Sequence, residues 1–135
     1  MKVLLDINVL LDILLVRDPW VNSAAKLLTE IEEGKAEGFV AGHTLTTVHY
    51  VVSRAQDRQT AATAITDLLR LLDVVPIEKA DNSQALVLPV EDFEDAVQAA
   101  AALKVGVDYI VTRDEKGFRG LSVPSVTPGA ALSLL

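Results

Sequence analysis

The sequence has no cysteine. That absence excludes disulfides, thiolate zinc sites and a cysteine nucleophile. Basic charge is scarce: 12 Lys and Arg face 19 Asp and Glu, for a net charge of −7. Proteins that live on phosphate contacts usually carry a basic surplus, so this balance argues against tight, stand-alone binding of nucleic acid while leaving catalysis open. No apolar run reaches the length of a membrane span, because Asp6, Asn8, Asp12 and Arg17 interrupt the first of them. Met1-Lys2-Val3-Leu4-Leu5-Asp6 ends on an acid and reads as a strand rather than an export signal. A soluble cytoplasmic protein is expected. Internal repeats, low-complexity tracts and shifts of composition are also missing, so residues 1–135 are expected to form one domain. Nor is there a convincing serine nucleophile or glycine-rich phosphate loop.

Half of the residues are apolar, enough for a core at this length. They fall in short runs that alternate with helical patterns, the signature of βαβ units and a parallel sheet. Strands are expected at Val3–Leu5, Gly38–Ala41, Val74–Ile77 (an edge, given Pro76), Tyr109–Thr112 and Pro124–Val126. Helices are expected over 9–15, 21–33, 44–54, 58–72, 82–88, 91–104 and 129–135. Asp57 is placed as an N-cap, and Gly34 and Gly106 as stops. The fold class is therefore α/β.

Three acidic positions carry the chemistry. Asp6 follows the first strand, where ligands gather in open α/β sheets; a helix N-cap is the competing use of that residue. Asp114 lies just past Tyr109–Thr112, and it shares a rim with Asp6 if the two strands are neighbours; alone it reads as a solvated loop acid. Asp92 and Asp95 stand three apart on one helix face, in a first turn that favours acids electrostatically. Asp95 also shares its face with Ala99 in an alanine run that lets the helix approach the sheet, and an acid on that side needs a partner. Carboxylates that converge without basic partners repel one another, and a hard divalent ion such as Mg²⁺ or Mn²⁺ resolves the conflict. Such an ion can activate a water and stabilise charge on a phosphodiester.

The ordered set Asp6-x-Asn8, Asp95 before an alanine-rich helix, and Thr112-Arg113-Asp114 resembles the PIN-domain family over nearly the whole chain, down to a closing Val126-Thr127-Pro128. The resemblance implies a three-layer α/β/α fold around a parallel sheet and metal-dependent endoribonuclease activity with Mg²⁺ or Mn²⁺. It implies that Asp6, Asp95 and Asp114 are the metal-binding and catalytic acids, that Asn8 and Thr112 support them, and that Asp92 is an outer acid. Many small bacterial members are toxins of VapC type, held inactive by a small antitoxin partner. The pattern departs at the helix after the second strand, where the family often carries a further Glu and this chain has His49 near the expected place. It departs again at Lys116-Gly117-Phe118, where an acid often precedes the phenylalanine. Arg113 is the best placed basic residue for an RNA phosphate, with an ion pair to a nearby acid as the alternative. Trp20 reads as a packing or interface anchor. The apolar Leu132–Leu135 tail suggests a homodimer. Two other classes compete: a catalytically weak PIN-like RNA-binding or regulatory module, and phosphoryl transfer through an aspartyl nucleophile at Asp6.

Overall fold

The computed structural model describes residues 1–135. Five short strands form one parallel sheet: β1 (Lys2–Leu5), β2 (Glu37–Ala41), β3 (Asp73–Val75), β4 (Tyr109–Val111) and β5 (Ser125–Val126). Their order is β3-β2-β1-β4-β5, so the chain winds outward from β1 in two directions. β1 pairs with β2 on one side (Leu4 opposite Phe39) and with β4 on the other (Leu5 opposite Val111). Parallel neighbours need crossovers, and helices supply them: α1 (Ile7–Leu14), α2 (Val21–Glu32), α3 (Gly42–Ala55), α4 (Arg58–Leu71), α5 (Lys79–Ala85), α6 (Phe93–Val105) and α7 (Pro128–Ser133).

The sheet separates two apolar cores, and alternation along each strand feeds both of them. Val3, Leu5, Val40 and Val111 face α1, α2, α3, α4 and α7. Leu4, Ala41, Val75 and Ile110 face α5 and α6. Three layers result, α/β/α, as the family resemblance implies. On the second side the helix surface is almost all alanine: Ala96, Ala99, Ala100, Ala101 and Ala102 of α6 are buried. Small side chains let this helix lie close to the strands and bring its first turn to their carboxyl ends. Close approach recurs on the other face, where a β-carbon at Gly38 would stand 2.6 Å from Leu72 and 2.9 Å from Ile31.

Most boundaries fall within two residues of expectation. Asp57 caps α4 by accepting the Thr60 N–H, and Gly106 ends α6 in the left-handed conformation. β3 is an edge strand, with Pro76 just beyond it. Two features differ from expectation. α5 runs over Lys79–Ala85 rather than 82–88, because Glu78 and Asp81 form a reciprocal capping box that starts the helix early. After β4, residues Glu115–Phe118 form a 3₁₀ turn that the apolar pattern does not signal. No helix is long and apolar enough to cross a membrane.

Candidate active site

Asp6 sits where β1 stops and α1 starts. Its N–H donates to Val111 O at 2.9 Å, so pairing with β4 continues one residue past the strand. Its backbone occupies the N-cap position, yet its carboxylate makes no capping bond. Both oxygens turn instead to neutral donors across the sheet edge. Gln98 Nε2 donates to Oδ1 at 2.9 Å, and Thr112 Oγ1 donates to Oδ2 at 2.8 Å. The side-chain use expected of a plain cap is thus absent. Asp6 is 2 % exposed. Burial pushes its carboxyl above the ordinary value; the Gln98, Thr112 and Ile7 hydrogen bonds pull it back, and Asp114 adds to the rise. A carboxylate so enclosed, with both oxygens already accepting, is suited to a fixed anionic role and not to in-line attack as a nucleophile.

Asp95 comes from the first turn of α6, on the alanine side of the helix. Asp92 caps that helix: its Oδ1 accepts the Asp95 N–H at 3.0 Å, which is the structural alternative to an outer acid, although its side chain also faces the cleft described below. One turn on, Gln98 Nε2 donates to Asp95 Oδ1 at 3.2 Å as well as to Asp6. Burial drives the Asp95 carboxyl up to about 7, and the charges of Asp6, Asp92, Glu94 and Asp114 push the same way.

Asp114 follows Thr112 and Arg113 at the end of β4. Its N–H donates to Thr112 Oγ1 at 3.0 Å, so a single hydroxyl ties Asp114 to Asp6. A β-carbon built at Gly117 would lie 3.1 Å from Asp114 Oδ2 and 3.9 Å from Asp95 Oδ2. The glycine therefore leaves a small cradle into which both outer oxygens open. It belongs to a cleft of about 640 Å³ lined by Pro89, Glu91, Asp92, Asp95, Asp114, Lys116 and Gly117, with no hydrophobic wall. Asp6 lies just inside that wall, joined to Asp95 through Gln98. Asn8 is half-buried in the first turn of α1.

The donor set fits a hard cation. Asp6, Asp95 and Asp114 enter no ion pair, whereas the buried acids elsewhere do: Asp12 with Arg17 and Arg113, and Asp81 with Lys104. All the available ligands are oxygens, and the cradle at Gly117 is open. No three acidic or imidazole side chains stand close enough to grip one ion together. A hard divalent ion at this place would therefore be held by one or two carboxylates and its own waters, not by a closed all-protein cage.

Arg113 takes the ion-pair alternative. Its Nε lies 2.9 Å from Asp12 Oδ2, off the line of a directed hydrogen bond, and Nη2 donates to Asp12 Oδ1 at 3.3 Å. Its guanidinium stacks 3.9 Å above the Trp20 ring. Trp20, 43 % exposed, is thus an anchor for Arg113 at a second, smaller cleft that also includes Asp12, Pro19, Ser23 and Pro128. On α3, His49 makes no polar contact with the cluster. The α3 residues that touch the first turn of α6 are Thr47, whose Oγ1 donates to Glu94 Oε2 at 3.1 Å, and His43, whose Nε2 bonds Glu94 O at 3.1 Å. Two residues escaped the sequence reading. Gln98 was masked by the alanine run around it, although its i+3 spacing from Asp95 puts both on one face. Lys116, two residues past Asp114, is the basic side chain in the acidic cleft.

Residues 2–116 match the model of the family described as PIN domain. Ribonuclease VapC1 of Aquifex aeolicus (strain VF5) is 28 % identical over 119 residues, covering 84 % of this chain and 82 % of that protein. Among solved structures, a toxin-antitoxin complex from Klebsiella pneumoniae superposes with a TM-score of 0.70 at 20 % identity, over 93 % of this chain and 97 % of the other. The Mycobacterium tuberculosis toxin VapC20, described as cleaving the sarcin-ricin loop, gives 0.67 at 18 % identity, over 80 % and 86 %. At these identities the structural likeness speaks to the fold.

Proposed function

Since the chain belongs to the PIN domain family, we propose that it is a metal-dependent endoribonuclease, the toxin of a toxin-antitoxin pair, acting in the cytoplasm. One observation carries the reading: Asp6, Asp95 and Asp114 are linked through the neutral side chains of Gln98 and Thr112 at the carboxyl edge of a parallel sheet, and none of the three enters an ion pair. The likeness to a ribonuclease, to a toxin that cleaves the sarcin-ricin loop and to a toxin-antitoxin complex supports the same reading. An antitoxin is the proposed protein partner, and exposed Leu134 and Leu135 support a homodimer.

Asp6, Asp95 and Asp114, one or two of them directly and the rest through the ion's own waters, would hold a Mg²⁺ or Mn²⁺ ion, which when bound supplies an activated water and neutralises charge growing on the phosphodiester. The protein's part is placement. Thr112 and Gln98 fix Asp6, while Thr112 also receives the Asp114 N–H, so that two strand ends and one helix act as a unit. Asp92 and Thr47 steady the first turn of α6, the latter through Glu94. Lys116 brings a positive charge to a cleft that must admit a polyanion. Purified protein is expected to cut fluorescently labelled single-stranded RNA with either ion, and Asp6→Asn to abolish cutting. Absence of cleavage and of metal binding across a broad RNA panel would overturn the proposal. Metal binding without cleavage would favour a PIN-like RNA-binding module.

A further inference from the structure

We infer that Gln98 is a positioning residue that keeps Asp6 and Asp95 side by side for a divalent ion, standing between them as a neutral substitute for its charge. This rests on the reading of both acids as metal ligands. Gln98 is 0 % exposed and spends its whole amide on three partners. Its Oε1 accepts the Ile7 N–H at 3.1 Å, one of the unpaired donors of the first turn of α1. That bond fixes the orientation of the amide, because only the NH₂ end then faces the carboxylates. Nε2 donates one hydrogen to Asp6 Oδ1 at 2.9 Å and the other to Asp95 Oδ1 at 3.2 Å.

The chemistry of this bridge explains why an amide stands there. Two carboxylates on different elements, 89 residues apart in the numbering from Asp6 to Asp95, would otherwise separate to relieve repulsion. A lysine or arginine would bring them together but would cancel the charge that attracts a metal. An amide draws both acids inward by hydrogen bonds and leaves their charge intact. It also occupies only the inner oxygen of Asp95, so Oδ2 stays turned toward Gly117 and the cleft. Thr112 holds the other oxygen of Asp6 in the same way. Hydrogen-bond partners outside the ligand set commonly govern metal affinity to this degree.

The test is Mn²⁺ binding by isothermal titration calorimetry, with the metal-dependence of RNA cleavage measured alongside. Gln98→Met keeps the volume and removes the donors. Its Mn²⁺ Kd is expected to rise about 10- to 100-fold, while excess Mn²⁺ restores kcat and the KM for RNA stays unchanged. A merely structural role would lower kcat at every metal concentration. Gln98→Lys is the second variant, for use if the methionine protein does not fold. An ammonium at this place is expected to raise the melting temperature of the metal-free protein and to erase its shift on adding Mn²⁺. Wild-type Mn²⁺ affinity in folded Gln98→Met, or in Gln98→Lys where the first does not fold, overturns the inference. Asp6→Asn is titrated in parallel. If it also binds Mn²⁺ normally, the metal-centre reading fails and the role of Gln98 with it; if it loses binding while Gln98→Met does not, only the latter falls.

Discussion

Replacing Asp95 by Asn should stabilise the metal-free protein at alkaline pH and leave it unchanged in acid. Burial and four neighbouring acids raise the Asp95 carboxyl from 3.8 to about 7. Between those values the folded state holds a proton that the unfolded chain has released. Stability from this group is therefore complete below pH 4, declines as pH rises toward 7, and stays low above it. Taken at face value, a shift of about three units is worth roughly 4 kcal/mol. The side chain is only half-buried, so solvent screening reduces this to about 2 kcal/mol. Asparagine also gives up an acid in a helix first turn, a loss of about 0.5 kcal/mol. Its amide oxygen can still accept from Gln98, so that bond need not be lost. The charge relief wins, by roughly 1.5 kcal/mol, or about 5 °C in melting temperature for a domain of this size. Thermal melts by circular dichroism, in chelator, from pH 4 to 8.5, would follow the difference between the two proteins. A gain independent of pH, or a lower melting temperature for Asp95→Asn at pH 8, would refute the reasoning. Saturating Mg²⁺ should reverse the order, because ligand binding stabilises only the protein that retains the site.

The remaining predictions concern the two clefts. Asp12→Ala should destabilise the fold by about 3 kcal/mol in urea titrations, since it strands Arg113 and Arg17 beside a buried position; a change within error would show that the pair contributes no net stability. Gly117→Ala should keep its melting temperature but weaken Mn²⁺ binding, because the new methyl would press on Asp114 Oδ2 at 3.1 Å. Wild-type affinity in that variant would mean that the cradle is not where the ion sits.

The fold was legible because its strands and helices announce themselves locally. Val3-Leu4-Leu5 and Tyr109-Ile110-Val111 are apolar runs, and glycine or an N-cap closes several of the helices. α5 was misplaced because its capping box uses Glu78 and Asp81, a less familiar pair than a serine or threonine with glutamate. The site was half legible. Asp6, Asp95 and Asp114 each follow from a strand end or a helix face, but what their side chains do depends on partners far away in the chain. Whether Asp6 caps α1 could not be read near residue 6; Gln98 and Thr112, 92 and 106 residues later, decide it. Arg113 is similar, for its partner Asp12 lies 101 residues earlier. Gln98 itself looks like a helix-surface residue until the alanine face is seen to be the buried one.

The strand order has a consequence for how the protein is made. β1 precedes the other four strands, yet one of its two neighbours is β4, and Asp114 follows β4. Until residues 109–112 have been added, one edge of β1 lacks that partner and Asp6 lacks the hydroxyl of Thr112. At ~5–20 residues per second, more than a hundred residues take on the order of ten seconds to add. The three acids can thus meet only after the chain has grown more than a hundred residues beyond Asp6, and helix α1 must hold the first of them in place until then.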